Sequence, residues 1–352
     1  MRFIFKVLLN TLYINSCLSL KIINQNNLNI HPTFSSKIKV NSKIFQNKLK
    51  YSIPALITPM NLDYSIDYDK FEQLIYYHLD KNDAITILGS TGEWTSINNK
   101  ERKNLIKKAS QIINGQIPLI VGTGDLDTHK TILNCQDAEK YGADINLIIS
   151  PFYTRPTQEG ILANYQYIAD HTNLPILIYD CPSRTSMELS ESIIETLSFN
   201  SQIIGIKDAT GNISKLRNLK KKCHSEFVFF SGDDKSSLEF CQTGGNGCIT
   251  VVGNLIPQIY RQIIQQLDQD IEKSLTNFEK ISSLIDSLSC QTNPIPIKYA
   301  VYQNKMFIQD NDYTTLKGLC RIAIRQHVAL KLDLVRKKNI FKPLLVINRK
   351  YV

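Results

Sequence analysis

Ile203-Ile204-Gly205-Ile206-Lys207-Asp208-Ala209-Thr210-Gly211-Asn212 is a short apolar run that ends in a lysine and passes into a polar turn. Strand alternation would put Ile203, Gly205 and Lys207 on one face, and Ile204 and Ile206 on the other. Gly205, two residues before the lysine, would leave space beside the amine. An ammonium at the mouth of an apolar strand is partly desolvated, which favours its neutral form. A neutral amine attacks a ketone and forms a Schiff base. A lone strand-end lysine is ordinarily solvated, so its surroundings have to decide its role.

The same unit of apolar run, polar turn and helix recurs along the chain. Apolar runs stand at Ile53–Ile57, Ala84–Leu88, Ile117–Val121, Ile145–Ile149, Pro175–Tyr179, Ile203–Lys207, Phe227–Ser231 and Cys248–Val252. Amphipathic stretches lie between them. Phe71, Leu74, Ile75, His78 and Leu79 follow the helical i, i+3, i+4, i+7, i+8 pattern, and residues 99–113, 128–141, 158–171, 190–198, 213–224 and 234–243 are comparable. Several open at Asn, Thr, Ser or Asp, as N-caps should. Gly115, Gly142 and Gly244-Gly245 close others. Eight strands, each followed by a helix, specify an α/β fold: a closed parallel (β/α)8 TIM barrel. No glycine-rich loop follows the first run, where a doubly wound dinucleotide fold would carry one. Beyond residue 255 only helices are expected, over 257–267, 268–287, 296–303 and 314–338. The domain reading is a targeting segment over 1–50, a catalytic barrel over 51–270 and a C-terminal helical domain over 271–352.

The chain has 352 residues and a net charge of +9. Eight of its 41 basic residues fall in residues 1–50, which contain no Asp or Glu. The remaining 33 face all 32 acidic residues. The body is therefore close to neutral and carries no basic stripe with interleaved aromatics, which argues against nucleic acid. The first 20 residues have a basic start and a broken apolar centre, too short and polar for a membrane span. Residues 21–50 are rich in Lys, Asn and Ser. Signal followed by transit-like segment, disordered until processed, points to a plastid reached through the secretory pathway. Mitochondrion and cytoplasm are the alternatives. The eight cysteines show no C-x-x-C pair and no zinc spacing, so a metal site is not expected and a reducing compartment fits. Cys181, Cys241 and Cys248 sit in apolar runs and read as small buried hydrophobes.

In a parallel barrel, chemistry sits at the C-terminal strand ends. The polar residues there form a set: Gly89-Ser90-Thr91-Gly92-Glu93 after the second run, Tyr153 after the fourth, Tyr179 and Arg184 at and after the fifth, and Lys207 on the sixth. GSTGE (89–93), PFYTRPTQEG (151–160), YDCPSRT (179–185), IGIKDATGN (204–212), FSGDD (230–234), GGNGCITVVGN (244–254) and NPIPIK (293–298) resemble the signatures of the dihydrodipicolinate synthase family, one of the pyruvate-dependent Schiff-base aldolases. The resemblance covers roughly residues 52–335.

That resemblance implies a (β/α)8 barrel with a C-terminal helical domain and a homotetramer built as a dimer of dimers. It implies a lyase that condenses pyruvate with L-aspartate 4-semialdehyde in diaminopimelate and lysine synthesis. No cofactor is implied, because the lysine supplies the electron sink, and no membrane partner is implied for the mature form. Lys207 would form the Schiff base, and Tyr179 would give and take the proton. Ser90 and Tyr153 would complete the relay, with Tyr153 reaching across a subunit interface. Thr91 would hold the pyruvate carboxylate and Arg184 the semialdehyde carboxylate, and the Ile249 carbonyl would lie near the site. Ser90 departs from the threonine of most members: it keeps the hydroxyl and loses the methyl that restricts its rotamer. A sister aldolase such as N-acetylneuraminate lyase is the alternative, against which Arg184 in PSRT counts. A catalytically inactive scaffold is the other. Where lysine-sensitive members place a pocket for feedback inhibition, this chain has Leu126, Lys130, Phe152 and Asn99, so lysine inhibition is not expected.

Overall fold

The computed structural model describes residues 49–61 and 63–303. The first 48 residues of the leader expected over 1–50, the helix expected over 314–338 and the stretch Phe341–Val352 lie outside the described residues.

Eight strands form one parallel sheet: β1 (Tyr51–Pro54), β2 (Ile85–Ile87), β3 (Leu119–Gly122), β4 (Ile145–Ile149), β5 (Ile176–Asp180), β6 (Ile203–Asp208), β7 (Val228–Ser231) and β8 (Gly247–Thr250). From β2 to β8 each strand pairs with the next in sequence, and β1 pairs with β8. A bridge between Ala55 and Thr86 brings β2 back to β1, and the Leu56 N–H donates to the Thr86 carbonyl at 2.8 Å. The sheet is thereby rolled into the (β/α)8 barrel. β1 begins two residues earlier than the apolar run at Ile53.

Helices α1 (Tyr68–Leu79), α2 (Asn99–Ile113), α3 (Thr128–Lys140), α4 (Gln158–Asp170), the short α5 (Pro182–Thr185), α6 (Glu191–Ser198), α7 (Ile213–Lys222) and α8 (Ser237–Gln242) connect the strands. Asp67, Asn98, Asp127, Thr157, Ser190 and Asn212 each cap a helix, their side chains accepting from the backbone N–H three residues on. Each such cap satisfies a donor that the helix start leaves unpaired. After β8 come α9 (Pro257–Gln266), α10 (Ile271–Leu288) and α11 (Ile295–Gln303). No helix among the described residues is long and apolar enough to cross a membrane.

Three apolar clusters build the core. Ile53, Ile120, Ile145, Leu147, Leu177, Tyr179, Ile204, Val228, Phe230 and Ile249 fill the barrel interior, joined by Leu49. The other two clusters lie between strands and helices. One contains Ile148, Ile178, Ile203 and Ile206 with residues of α4, α6 and α7. The other joins Ile85, Ile87 and Leu105 to Ile263, Leu284, Ile285 and Ile297, so the C-terminal helices share a core with the first third of the barrel.

Simple alternation fails on β6. Ile176 pairs with Ile203, but the next residue, Leu177, pairs with Gly205, so Ile204 is an extra residue. Ile203 packs outward and Ile204 inward. A Cβ on Gly205 would stand 2.4 Å from Val228 Cγ2 and 3.1 Å from Leu177 Cδ2, both interior side chains, so Gly205 also faces in. Ile206 then packs outward again, in register with Ile178. This β-bulge corrects the expected pattern: Ile203 and Lys207 lie on opposite faces. Without the extra residue Lys207 would point at the helices; with it, Lys207 points into the barrel, as bulges beside active sites commonly re-aim a side chain.

Candidate active site

Lys207 is 6 % exposed. Its Nζ lies 4.3 Å from the ring centroid of Tyr179, its partner across the β5–β6 ladder. Burial pulls the amine from its ordinary 10.5 down to about 8, against the opposing pull of Asp234, and the nearby Arg184 charge adds to the lowering. A solvated strand-end lysine is thus excluded; this amine is buried and biased toward its nucleophilic form.

The space beside the amine comes from Gly232, not from Gly205 as the sequence pattern suggested. A Cβ on Gly232 would stand 3.0 Å from Lys207 Cε and 2.8 Å from the Ala209 Cβ. Gly205 serves instead the close approach of β6 to β7, where its Cβ would meet the Val228 carbonyl oxygen at 2.4 Å.

Burial raises the Tyr179 phenol well above its usual range, while the Arg184 charge and a hydrogen bond with Ser90 pull it partly back. Tyr179 therefore keeps its proton at neutral pH and is able to give it to an oxygen formed beside Lys207. Ser90 and Thr91 sit in the tight turn after β2, closed by Gly92 N–H to Gly89 O at 3.0 Å and Glu93 N–H to Ser90 O at 3.2 Å. Thr91 is buried and its Oγ1 accepts from Asn293 Nδ2 at 3.0 Å. Arg184, on the exposed face of α5, donates from Nη2 to the Asn293 carbonyl at 3.0 Å. Ile249 lies on β8 with its side chain in the barrel interior.

The site residues named from sequence divide. Lys207, Tyr179, Ser90, Thr91 and Arg184 converge on one end of the barrel. Tyr153 does not join them within this chain: it is 88 % exposed, with φ +67°, a left-handed conformation uncommon outside glycine. Its neighbour Phe152 packs edge-on against Trp94, with 5.7 Å between ring centroids.

These residues give an enclosed amine, a protonated phenol with a hydroxyl beside it, and two side chains suited to carboxylates. The dihydrodipicolinate synthetase family model matches residues 48–311. The chain belongs to this family. The 4-hydroxy-tetrahydrodipicolinate synthase of Coxiella burnetii (strain Dugway 5J108-111) is 37 % identical over 254 residues, which are 72 % of this chain and 87 % of that one. Among solved structures, the chloride-inhibited dihydrodipicolinate synthase from Acinetobacter baumannii complexed with pyruvate is 30 % identical with a TM-score of 0.75, covering 82 % of this chain and 98 % of that one. The synthase of Cyanidioschyzon merolae with lysine bound is 25 % identical with a TM-score of 0.73, covering 83 % and 98 %.

Several residues of this family member's site were not assigned from sequence. Asn293 touches both Thr91 and Arg184. Lys298 Nζ and Glu93 Oε1 meet at 2.5 Å, with the two side chains 4 % and 0 % exposed. Both lie in quoted motifs, NPIPIK and GSTGE, but neither motif says that they meet. Asp180, one residue past Tyr179, holds Lys215 Nζ at 2.7 Å and accepts from the Leu189 N–H at 3.3 Å. It thereby ties down the far end of the loop that carries Arg184. Cys181 and Cys248 are buried as expected, whereas Cys241 is only half-buried.

Proposed function

We propose that this chain is a 4-hydroxy-tetrahydrodipicolinate synthase, a lyase of the class I aldolase type that joins pyruvate to L-aspartate 4-semialdehyde through a Schiff base on Lys207. The buried amine beside Tyr179, which holds its proton less tightly than an ordinary lysine, carries the proposal. Lys207 Nζ adds to C2 of pyruvate, Tyr179 protonates the departing oxygen, and water leaves to give the imine. Loss of a C3 proton gives the enamine. Its C3 adds to the aldehyde carbon of the second substrate, whose amine then displaces Lys207 from C2 and closes the ring. Thr91 holds the pyruvate carboxylate and Arg184 that of the semialdehyde. The Ile249 carbonyl borders the reacting carbons. Lysine itself is the electron sink, so the chemistry needs neither metal nor organic cofactor.

Tyr153 completes the proton relay of a neighbouring subunit in a homotetramer. A bare tyrosine in a left-handed conformation supports this, since backbone strain persists where function holds it. The acid-free residues 1–50 direct the chain to a plastid; a fluorescent fusion of that segment that stays cytosolic and unprocessed would count against this. Lysine does not inhibit the enzyme. Leu126 is exposed and apolar, Lys130 would repel a ligand ammonium, and neither Phe152 nor Asn99 supplies the contact that a lysine pocket needs. Half-inhibition by lysine below about 1 mM, a binding free energy of about −4 kcal/mol, would contradict it.

The deciding experiment is borohydride trapping followed by a coupled assay. Pyruvate plus borohydride should add mass to the peptide containing Lys207, and turnover should appear with aspartate semialdehyde and not with N-acetylneuraminate. An adduct on another lysine, or turnover of the sugar acid alone, would overturn the assignment. No adduct at all would mark an inactive scaffold.

A further inference from the structure

We propose that Asn293 is the positioning residue of the carboxylate-binding pair: its side-chain amide sets the Thr91 hydroxyl for pyruvate, while its backbone carbonyl sets Arg184 for the second substrate. The inference rests on the substrate roles given to Thr91 and Arg184 above. Asn293 Nδ2 donates to Thr91 Oγ1 at 3.0 Å across 202 residues of sequence. A hydroxyl has one hydrogen and two lone pairs. Once Oγ1 accepts from the amide, the Thr91 hydrogen remains free to donate to a carboxylate oxygen. The Asn293 carbonyl accepts from Arg184 Nη2 at 3.0 Å, which holds one edge of the guanidinium and leaves the rest of its donors for a carboxylate.

Asn293 is itself held in place. Five residues on, the buried ion pair between Lys298 and Glu93 fastens the start of α11 to the same turn that carries Thr91. The Asn293 Oδ1 is buried and has no donor among the described residues. Buried polar atoms are nearly always paired. The amide nitrogen is turned toward Thr91.

The two contacts use different parts of one residue, and this predicts a split. Asn293→Ala removes the amide and keeps the carbonyl. The half-saturating pyruvate concentration, read from borohydride-trapped adduct on the full-length protein without aldehyde, should rise about tenfold, the worth of one hydrogen bond of ~1.4 kcal/mol. The KM for aspartate semialdehyde should stay within about twofold, since any residue supplies the carbonyl to Arg184. Thr91→Val should raise half-saturation at least as much, and adding Asn293→Ala to it should change nothing further. Asn293→Asp keeps the shape and replaces the donor by an acceptor, so it should bind pyruvate worse than Asn293→Ala. Unchanged pyruvate saturation in Asn293→Ala, or multiplying effects in the double variant, would overturn the assignment. So would a rise in both constants with a lowered Tm, the mark of general loosening. Failure of the unaltered protein to trap pyruvate would overturn the substrate roles first, and the positioning role with them.

Discussion

Replacing Lys207 by methionine should abolish activity and stabilise the protein. Burial lowers the amine from 10.5 to about 8, which corresponds to about 3 kcal/mol spent on keeping an ammonium in the barrel below pH 8, at ~1.4 kcal/mol per tenfold. The sign follows from proton binding in the two states. Below pH 8 the folded and unfolded amines are both charged, and the folded protein carries the whole penalty. Between pH 8 and 10.5 the folded amine is neutral while the unfolded one holds its proton, so stability of the unaltered protein rises. Above 10.5 the penalty is gone. Methionine has nearly the same length and no charge, so Lys207→Met should be more stable by about 2–3 kcal/mol at pH 7. The gap should shrink through the same window. Urea unfolding of both proteins at pH 7, 8.5 and 10, at equal concentration, measures it. A variant no more stable at pH 7, or a gap that ignores pH, would refute the buried-ammonium account. The same shift leaves about 300 times more neutral amine at pH 7 than an ordinary lysine would supply. Accordingly kcat/KM for pyruvate should rise with pH with a midpoint near 8.

Three further outcomes follow from the geometry. Arg184→Ala should lower kcat/KM for aspartate semialdehyde about 10–100-fold, the worth of charge-assisted hydrogen bonds of ~1.5–3 kcal/mol, while pyruvate still traps on Lys207; steady-state kinetics and adduct mass together check it. Gly205→Val should destabilise by at least about 1–3 kcal/mol through overpacking and cut the trapped adduct, because the new Cβ alone would stand 2.4 Å from the backbone oxygen of Val228; urea titration and adduct yield report it. Lys298→Ala should cost about 3–5 kcal/mol by breaking the buried ion pair with Glu93 from one side, with Glu93→Gln costing less because the amide still accepts a hydrogen bond; Tm reads both.

The barrel was legible because its signal is periodic and local. Each strand is a buried apolar run, and six of the connecting helices carry a capping Asp, Asn, Thr or Ser that reports its own start. Lys207, Tyr179, Ser90, Thr91 and Arg184 were legible because a parallel barrel delivers strand ends to one place. The face of Lys207 was not. Period-two counting has no means of sensing one inserted residue, and the bulge at Ile204-Gly205 reverses every side chain beyond it. Gly205 looked like space for the amine because it is near Lys207 in sequence; the space comes from Gly232, a neighbour only through the β6–β7 ladder. Asn293 with Thr91 and Lys298 with Glu93 escaped for a related reason. They are 202 and 205 residues apart, and no local pattern encodes such a meeting.

Those two long-range contacts alter the role of the C-terminal helices. Covalent chemistry needs its nucleophile placed to a fraction of an ångström, and Lys207 and Tyr179 obtain this from paired strands. Thr91 stands on a turn and Arg184 on the four-residue helix α5, short connections that by themselves hold position poorly. The turn after β2 is fastened through Thr91 and Glu93, and Arg184 through its guanidinium, all to residues 293–298. Leu284, Ile285 and Ile297 meanwhile share one buried cluster with Ile85 and Ile87, so the segment that holds the turns is anchored by the same core that supports β2. Residues after β8 therefore hold the two side chains proposed to bind the substrate carboxylates. Damage to α10 or α11 should appear first as weakened carboxylate binding, before the Lys207–Tyr179 pair is disturbed.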